Sequence, residues 1–405
     1  ITVVIFLDNI LDIPLDLVLS VKVLFALVFL SMMVNLLTNV FGVAVFSQNR
    51  MDLSSICDIL VGILRVVLYL VLFICFKANL VLVGVVSLIV ALFTCIIQFI
   101  YTKKLLPYMK YNKSYFNWIA VKEVLSSGVW NSVNQIGIVL LSTVGLMLCN
   151  ILWGASESGD YSIALTIPQF VNGIVSMLSG TLLPGLTIVF ARGNTADTVK
   201  YVKNAQNLMP ILISVPIAIF LAVGVNFFRL WTPTVDPNKL QNLSILTVGY
   251  ILVTSVAWPV SNMNTVMNRV KVPALVMVVT GILNIILIEV FYFKTNLGIY
   301  GVPLSQLILF IANRAIFICS YSAKCLGEKW YTFYLPLFKS LIGAIIIFTI
   351  SYYTNILLNP AHWISLIFEC VFLGSIGLIL NVVIVLGSKK SIQYFRKLIS
   401  FLKSN

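Results

Sequence analysis

Apolar runs of twenty or so residues, broken only by short polar segments, fill almost the whole chain. They cover about residues 22–46, 54–76, 79–101, 130–152, 161–190, 207–227, 242–266, 272–292, 300–320, 334–354 and 362–386. A helix of about 20 apolar residues crosses the hydrocarbon of a bilayer, so the pattern predicts eleven full spans. Residues 1–7 (ITVVIFL) read as the end of a further span already under way.

One stretch occurs twice. Asn49-Arg50 and Gly62-Ile63-Leu64 recur as Asn268-Arg269 and Gly281-Ile282-Leu283 at a constant shift of 219 (50 to 269). After a small gap, Lys77, Asn79, Leu80, Gly84 and Val85 recur as Lys294, Asn296, Leu297, Gly301 and Val302 at a shift of 217 (77 to 294). Each copy is an Asn-Arg corner, a hydrophobic helix, a short polar loop and a second helix. Such a duplication implies two pseudo-symmetric halves around a central site. At the same shift residues 1–7 align with the end of the helix at about 207–226, so the sequence reads as an N-terminally truncated fragment of a chain of about fourteen spans.

The loops alternate in charge. One set carries Arg50; Lys103, Lys104, Lys110, Lys113 and Lys122; Arg192, Lys200 and Lys203; Arg269 and Lys271; Lys324 and Lys329; and Lys389, Lys390, Arg396, Lys397 and Lys403. The other set carries only Lys77, Arg229, Lys239 and Lys294. The positive-inside rule places the first set, and the C-terminus, in the cytoplasm. Residues 102–129 mix Lys with Tyr, Phe and Trp and are expected to lie along the cytoplasmic interface. In the tail, Ile392, Phe395, Leu398, Ile399 and Leu402 share one helical face, as in an amphipathic helix drawn to anionic lipid heads; a frayed basic tail is the alternative.

Composition narrows the classes. With 60% hydrophobic and only 10% charged residues, the chain is not an ordinary soluble globule. Its net charge of +13 is spread over alternate loops, so it marks orientation and not a nucleic-acid partner. The seven cysteines sit in apolar segments without CxxC spacing and read as packing residues. His362 is the single histidine, which disfavours a Ser-His-Asp triad and any histidine-rich metal site. No glycine-rich phosphate loop appears, so ATP-driven transport within this chain has no support.

Polar residues deep in spans carry the candidate chemistry, since a mid-span arginine costs at least about 2.5–3.5 kcal/mol on insertion scales. Arg65 and Arg314 are the two deep arginines, read either as cavity-lining groups for an anion or as partners of Asp58, Glu289 or Glu369 in structural ion pairs. Asn131, Asn134, Gln135 and Ser142 share a broad face of one span. The next span carries Ser162, Thr166, Gln169, Asn172, Gly173, Ser176, Ser179 and Gly180 at steps of three and four, which suits a hydrated cavity wall or close helix packing. Asn35, Thr38 and Asn39 form a shorter polar face. Asp58, Glu289 and Glu369 are candidates for a coupling Na⁺ or H⁺, against solvation at the interface. Pro168, Pro184, Pro210, Pro216 and Pro259 mark bends, either hinges or static kinks.

The stretches FSQNRMD (46–52), VKEVLSSGVWNSVNQIGIVLLSTVGLMLCNILWGASESGDYSIALTIP (121–168) and LLPGLTIVFARGN (182–194) resemble the multidrug/oligosaccharidyl-lipid/polysaccharide exporter superfamily, and within it the polysaccharide transporter (Wzx-type) flippases. Gly159, Tyr161, Ser162, Pro184 and Arg192 fit the family's outer loop, span end and basic cytoplasmic loop. The resemblance implies an all-α polytopic fold of two pseudo-symmetric six-helix bundles in a V, plus two C-terminal helices. The corresponding divisions are 1–101, the remainder of the first bundle; 102–129, the linker; 130–330, the second bundle; 331–387, the extra helices; and 388–405, the tail.

What the resemblance further implies is a transporter, not an enzyme, in the bacterial plasma membrane. Its substrate would be an undecaprenyl-diphosphate-linked oligosaccharide, flipped by alternating access for O-antigen, capsule or exopolysaccharide assembly. Membrane lipids, a polymerase and chain-length machinery would be its partners, and no cofactor beyond a coupling Na⁺ or H⁺ is expected. The expected binding residues are Arg65, Arg314, Asn131, Asn134, Gln135, Gln169, Asn172, Asn35 and Asn39. A lipid II flippase or a cation-coupled multidrug exporter of the same superfamily are the alternatives. A membrane-embedded glycosyltransferase or polymerase is disfavoured, because the longest outer loop, about 228–241, is too short for one.

Overall fold

A computed structural model describes residues 13–14, 17–48, 50–77, 79–108 and 117–387. The stub at 1–7, Asn49 of the first corner and the tail at 388–405 lie outside these. The helices are α1 (Val18–Ser47), α2 (Met51–Cys75), α3 (Leu80–Leu105), α4 (Trp118–Trp153), α5 (Ala155–Ala191), α6 (Thr195–Trp231), α7 (Pro237–Val266) and α8 (Lys271–Lys294). A 3₁₀ turn (Gly298–Tyr300) then leads into α9 (Gly301–Ile311), a π-helical segment (Ala312–Ile318) and α10 (Cys319–Cys325). The chain closes with α11 (Tyr334–Leu358) and α12 (Trp363–Leu386). Among the described residues there is no strand, and eleven helical segments are long and apolar enough to cross a membrane. The protein is a multi-pass membrane protein.

Two compact units divide the chain, Ile1–Val121 and Lys122–Asn405. In the first, α1 packs along α3 and α2 borders both. In the second, α6 and α7 form the centre, with 61% and 72% of their most apolar windows buried. Around them stand α5, α9, α11 and α12.

Local signals fix the helix ends. Asn79, Asn194 and Asp236 cap α3, α6 and α7 by accepting backbone N–H groups two or three residues on, and Pro237 occupies the first turn of α7. The duplicated corner is visible in the backbone. Arg50 N–H donates to Val45 C=O at 3.0 Å, and Arg269 N–H donates to Asn264 C=O at 2.8 Å, the same five-residue reach in both copies. In the second copy Asn268 takes φ 54°, the left-handed C-terminal cap that asparagine tolerates.

Two expectations need correcting. Residues 118–129 are not a separate in-plane segment, because α4 runs unbroken from Trp118 to Trp153. At 36 residues it is about 54 Å long, so roughly the first third lies beyond a hydrocarbon layer of about 30 Å. Gly159, Tyr161 and Ser162 are likewise helical: Gly154 alone turns the chain between α4 and α5, at φ 88°. The five prolines lie inside the continuous helices α5, α6 and α7.

Polar side chains tie the helices of the second unit at fixed heights. Gln241 donates to Leu221 C=O at 2.7 Å, Gln206 to Phe333 C=O at 3.2 Å and Asn381 to Pro210 C=O at 2.9 Å. Where α4 crosses α8 the backbones meet: a Cβ on Gly137 would lie 2.5 Å from the Met277 carbonyl carbon, and one on Gly281 2.6 Å from Leu140 Cβ. Gly281→Val is therefore expected to overpack this crossing by about 1–3 kcal/mol. Its thermal melting in detergent should fall by several degrees, whereas Gly374→Ala, which meets nothing within 4 Å, should melt like the wild type.

Candidate functional site

The second unit contains a cavity of about 460 Å³, within the range of small-ligand sites. Four elements wall it at one end of the unit. The middle turns of α4 give Trp130, Asn131, Asn134 and Gln135; the last turns of α7 give Trp258, Ser261, Asn262, Asn264 and Thr265, and the corner after it gives Asn268. The start of α8 gives Val270, Pro273 and Met277, and the π segment gives Asn313, Arg314 and Ile318. The loops on this end, with Arg269, Lys271, Lys324 and Lys329, belong to the strongly basic set.

Arg314 is the one ionisable side chain in that lining. One guanidinium nitrogen, Nη1, donates to Ser261 Oγ at 2.8 Å, and the guanidinium carbon lies 5.5 Å from the centre of the Trp258 ring. Neither Arg314 nor Arg65 is in an ion pair among the described residues; those present join Arg50 to Asp52, and Lys239 to Glu157 and Asp160. The structural ion-pair reading of the two arginines is therefore not what the fold displays. At the rim, Lys271 Nζ sits 5.2 Å from the centre of the Trp130 ring and adds a second positive charge.

The π segment sets the aim of Arg314. A π turn carries an extra residue between hydrogen-bonded partners, which re-aims the side chains that follow, and such turns concentrate at functional sites. Its neighbour Asn313 is buried and donates to Thr280 Oγ1 at 3.1 Å, fixing the segment to α8. Deeper in α8, Asn284 is fully buried, donates to Leu141 C=O at 3.1 Å and accepts the Ser305 hydroxyl. Asn264 accepts from Ser322 Oγ at 3.0 Å, which ties α7 to α10. The floor is thus a hydrogen-bonded polar lattice, and Arg314 stands on it with guanidinium N–H groups beyond the one given to Ser261.

The remaining predicted residues lie elsewhere. Gln169 is exposed on α5, and Asn172 reaches Tyr250 Oη at 3.4 Å; neither lines the cavity. Along α5, Ser162, Thr166, Gln169, Gly173, Ser176 and Gly180 all face out of their own unit, and Gly173 and Gly180 have nothing within 4 Å of a built Cβ. Close packing within the unit therefore does not explain those six positions, whereas Ser179 is buried and accepts from Asn262 Nδ2 at 2.9 Å. Asn35, Asn39, Asp58 and Arg65 are exposed on α1 and α2 of the first unit. Glu289 is exposed on α8, and Glu369 is buried where α12 meets α6 and α11, outside the cavity. Sequence reasoning missed Trp258, Ser261, Asn262, Asn264, Asn268 and Asn313. The run SNMNTVMNR at 261–269 and the Asn313-Arg314 pair carried the signal.

No family model matches the chain. It is 26% identical over 362 residues to a Bacillus subtilis (strain 168) protein named "uncharacterized membrane protein EpsK", covering 89% of this chain and 72% of that one. The solved structure of the lipid II flippase MurJ in its inward closed conformation aligns with a TM-score of 0.64 over 98% of this chain and 80% of that chain, at 15% identity. The second unit's cavity therefore sits in a MurJ-like fold.

The cavity makes a labelling prediction. In a cysteine-free background, Asn134→Cys should react with a water-soluble maleimide in inside-out vesicles and resist it in intact cells. Ser305→Cys, at a fully buried position, should resist in both. Labelling of Asn134→Cys only from outside would reverse the orientation read from the loop charges.

Proposed function

We propose that the chain is a flippase. It moves undecaprenyl-diphosphate-linked oligosaccharide repeat units from the inner to the outer leaflet of the bacterial plasma membrane by alternating access, for surface polysaccharide assembly. The observation that carries this reading is the Arg314 cavity: a polar site between apolar spans, lined by one cation, no carboxylate, and a ring of Asn, Gln, Ser and Trp side chains.

The chemistry follows from that lining. A diphosphate brings anionic oxygens that suit the planar guanidinium fork, and charge-assisted bonds of this kind contribute about 1.5–3 kcal/mol each. Ser261 and Trp258 hold the guanidinium plane while its other N–H groups take the phosphate. Asn131, Asn134, Gln135 and Asn262 offer amides to sugar hydroxyls, Trp130 and Trp258 offer ring faces, and the polyprenyl tail stays in the bilayer. Lys271 at the rim attracts the head group from the cytoplasmic leaflet. Nothing in this scheme makes or breaks a substrate bond, so the protein acts as a transporter. Na⁺ or H⁺ is the coupling ion in this reading, with Asp58, Glu289 and Glu369 as its candidate sites, and Arg65, Asn35 and Asn39 of the first unit are the further candidate substrate contacts.

A lipid II flippase would use the same diphosphate chemistry, and the MurJ-like fold suits either substrate. A drug exporter for organic cations fits less well, because an arginine without a carboxylate beside it repels them.

Lipids extracted from cells lacking the intact gene separate these readings. The account expects an undecaprenyl-diphosphate oligosaccharide trapped on the cytoplasmic side, with loss of surface polymer. Wild-type protein should restore both, and Arg314→Ala, at equal membrane level, should not, with head-group affinity reduced about 10- to 100-fold. Accumulated lipid II would point to the peptidoglycan precursor instead. Unchanged lipids with retained cationic dyes would point to drug export.

A further inference from the structure

Glu369 stands apart from the cavity and is built into a site of its own. It lies six residues, about 9 Å, along α12 from Trp363, and is 1% exposed. Neither carboxylate oxygen receives a hydrogen bond from the protein. The neighbouring helices keep a steady register. Across α11 and α12, Gly343 packs on Asn381 and Gly377 on Ile347, while Ser351 and Leu373 flank the same small gap. One further step of four residues sets Asn355 opposite Glu369. From α11, Asn355 donates its amide to Ala222 C=O of α6 at 3.4 Å, which places Ala222 and Val223 at this height, within the apolar cluster that includes Leu366 and Leu373.

The unpartnered atoms of Asn355 and Glu369 are all acceptors. With its amide N–H on Ala222, Asn355 is left with a buried Oδ1 that has no donor, and at the register-matched position on α12 the Glu369 carboxylate has none either. No charge nearby relieves this. On α6 the next ionisable group is Arg229, exposed near the helix end. On α7 it is Lys239, already paired with Glu157 and Asp160. On α11, Tyr352 and Tyr353 face outward, and Lys339 donates to Val385 C=O. On α12 itself, Cys370 packs against the cluster and His362 is exposed at the helix start. An unpaired carboxylate in such surroundings takes up a proton in preference to remaining charged.

We propose that Glu369 is a proton-binding site. Its carboxylic acid O–H donates to Asn355 Oδ1 while α6, α11 and α12 are in contact. The O–H bond breaks, with the proton passing to water and the carboxylate becoming hydrated, only when α11 and α12 part from α6. The inference is independent of what the Arg314 cavity carries.

Infrared difference spectra of the full chain in lipid nanodiscs, wild type against Glu369→Gln, test it without any transport assay. The carbonyl band of a protonated carboxyl should be present at neutral pH and lost in Glu369→Gln. In Asn355→Leu it should move to higher frequency as its acceptor disappears, an arm that still reads out if the Gln variant fails to fold. The folded chain holds a proton that the unfolded chain releases, so wild-type melting should fall as the pH rises above the ordinary carboxylate range, and Glu369→Gln should lack that fall. Three results overturn the proposal: only an ionised carboxylate band at neutral pH, superimposable melting profiles for both proteins, or melting raised by Na⁺ but not K⁺ in the wild type alone.

Discussion

In hydrocarbon a polar group has no water to fall back on, so leaving one without a protein partner or a hydrated space is costly. That constraint organises the second unit. Asn284 is answered on both sides, by two carbonyls of α4 and by Ser305, while the amide N–H groups of Gln241, Gln206 and Asn381 go to Leu221 C=O, Phe333 C=O, and Pro210 C=O with Ser214. Each contact joins two helices at one height, so sliding any helix by a residue would strand several buried amides at once. Apolar packing alone holds helices together; these amides say where along their length they meet.

Arg314 is positioned by the same logic. Its segment is tied to α8 through Asn313 and Thr280, α7 to α10 through Asn264 and Ser322, and α4 to α8 at the Gly137–Gly281 crossing. Those links define the walls of the cavity and leave one charge unanswered by any carboxylate. A hydrogen-bonded lattice beneath a guanidinium that no carboxylate neutralises is an arrangement suited to an anion arriving from outside. Glu369 shows the complementary case, an unanswered acceptor sealed among apolar side chains, where a proton is the smallest group that resolves the conflict.

Much of this was legible in the sequence. Length and hydropathy located eleven spans, although the helices α4, α5 and α6 extend well past their apolar cores at Trp118, Ala155 and Thr195. Polar turns continue a helix as readily as apolar ones when no proline or cap stops them, which is why the 118–129 stretch looked like a separate element. The Asn-Arg corner was readable because a left-handed cap favours asparagine, and its backbone bond recurs in both copies. In the site, Arg314 and the Asn131–Gln135 face were found from depth and periodicity. The α7 contribution was missed because its asparagines read as a loop approaching, and the π segment leaves no mark in hydropathy. Gln169 and Asn172 were placed with the cavity by stripe alone; their helix turns one toward Tyr250 and the other out of the unit.

The claim on which the account depends is that the Arg314 cavity takes a diphosphate head group. Native mass spectrometry of the purified chain with a polyprenyl-diphosphate sugar, against a zwitterionic phospholipid of similar mass, measures this directly. The account predicts adducts of the diphosphate lipid on wild-type protein, weakened at least about tenfold in Arg314→Ala, with phospholipid adducts equal in both. Equal binding of the diphosphate lipid to wild type and Arg314→Ala would contradict it.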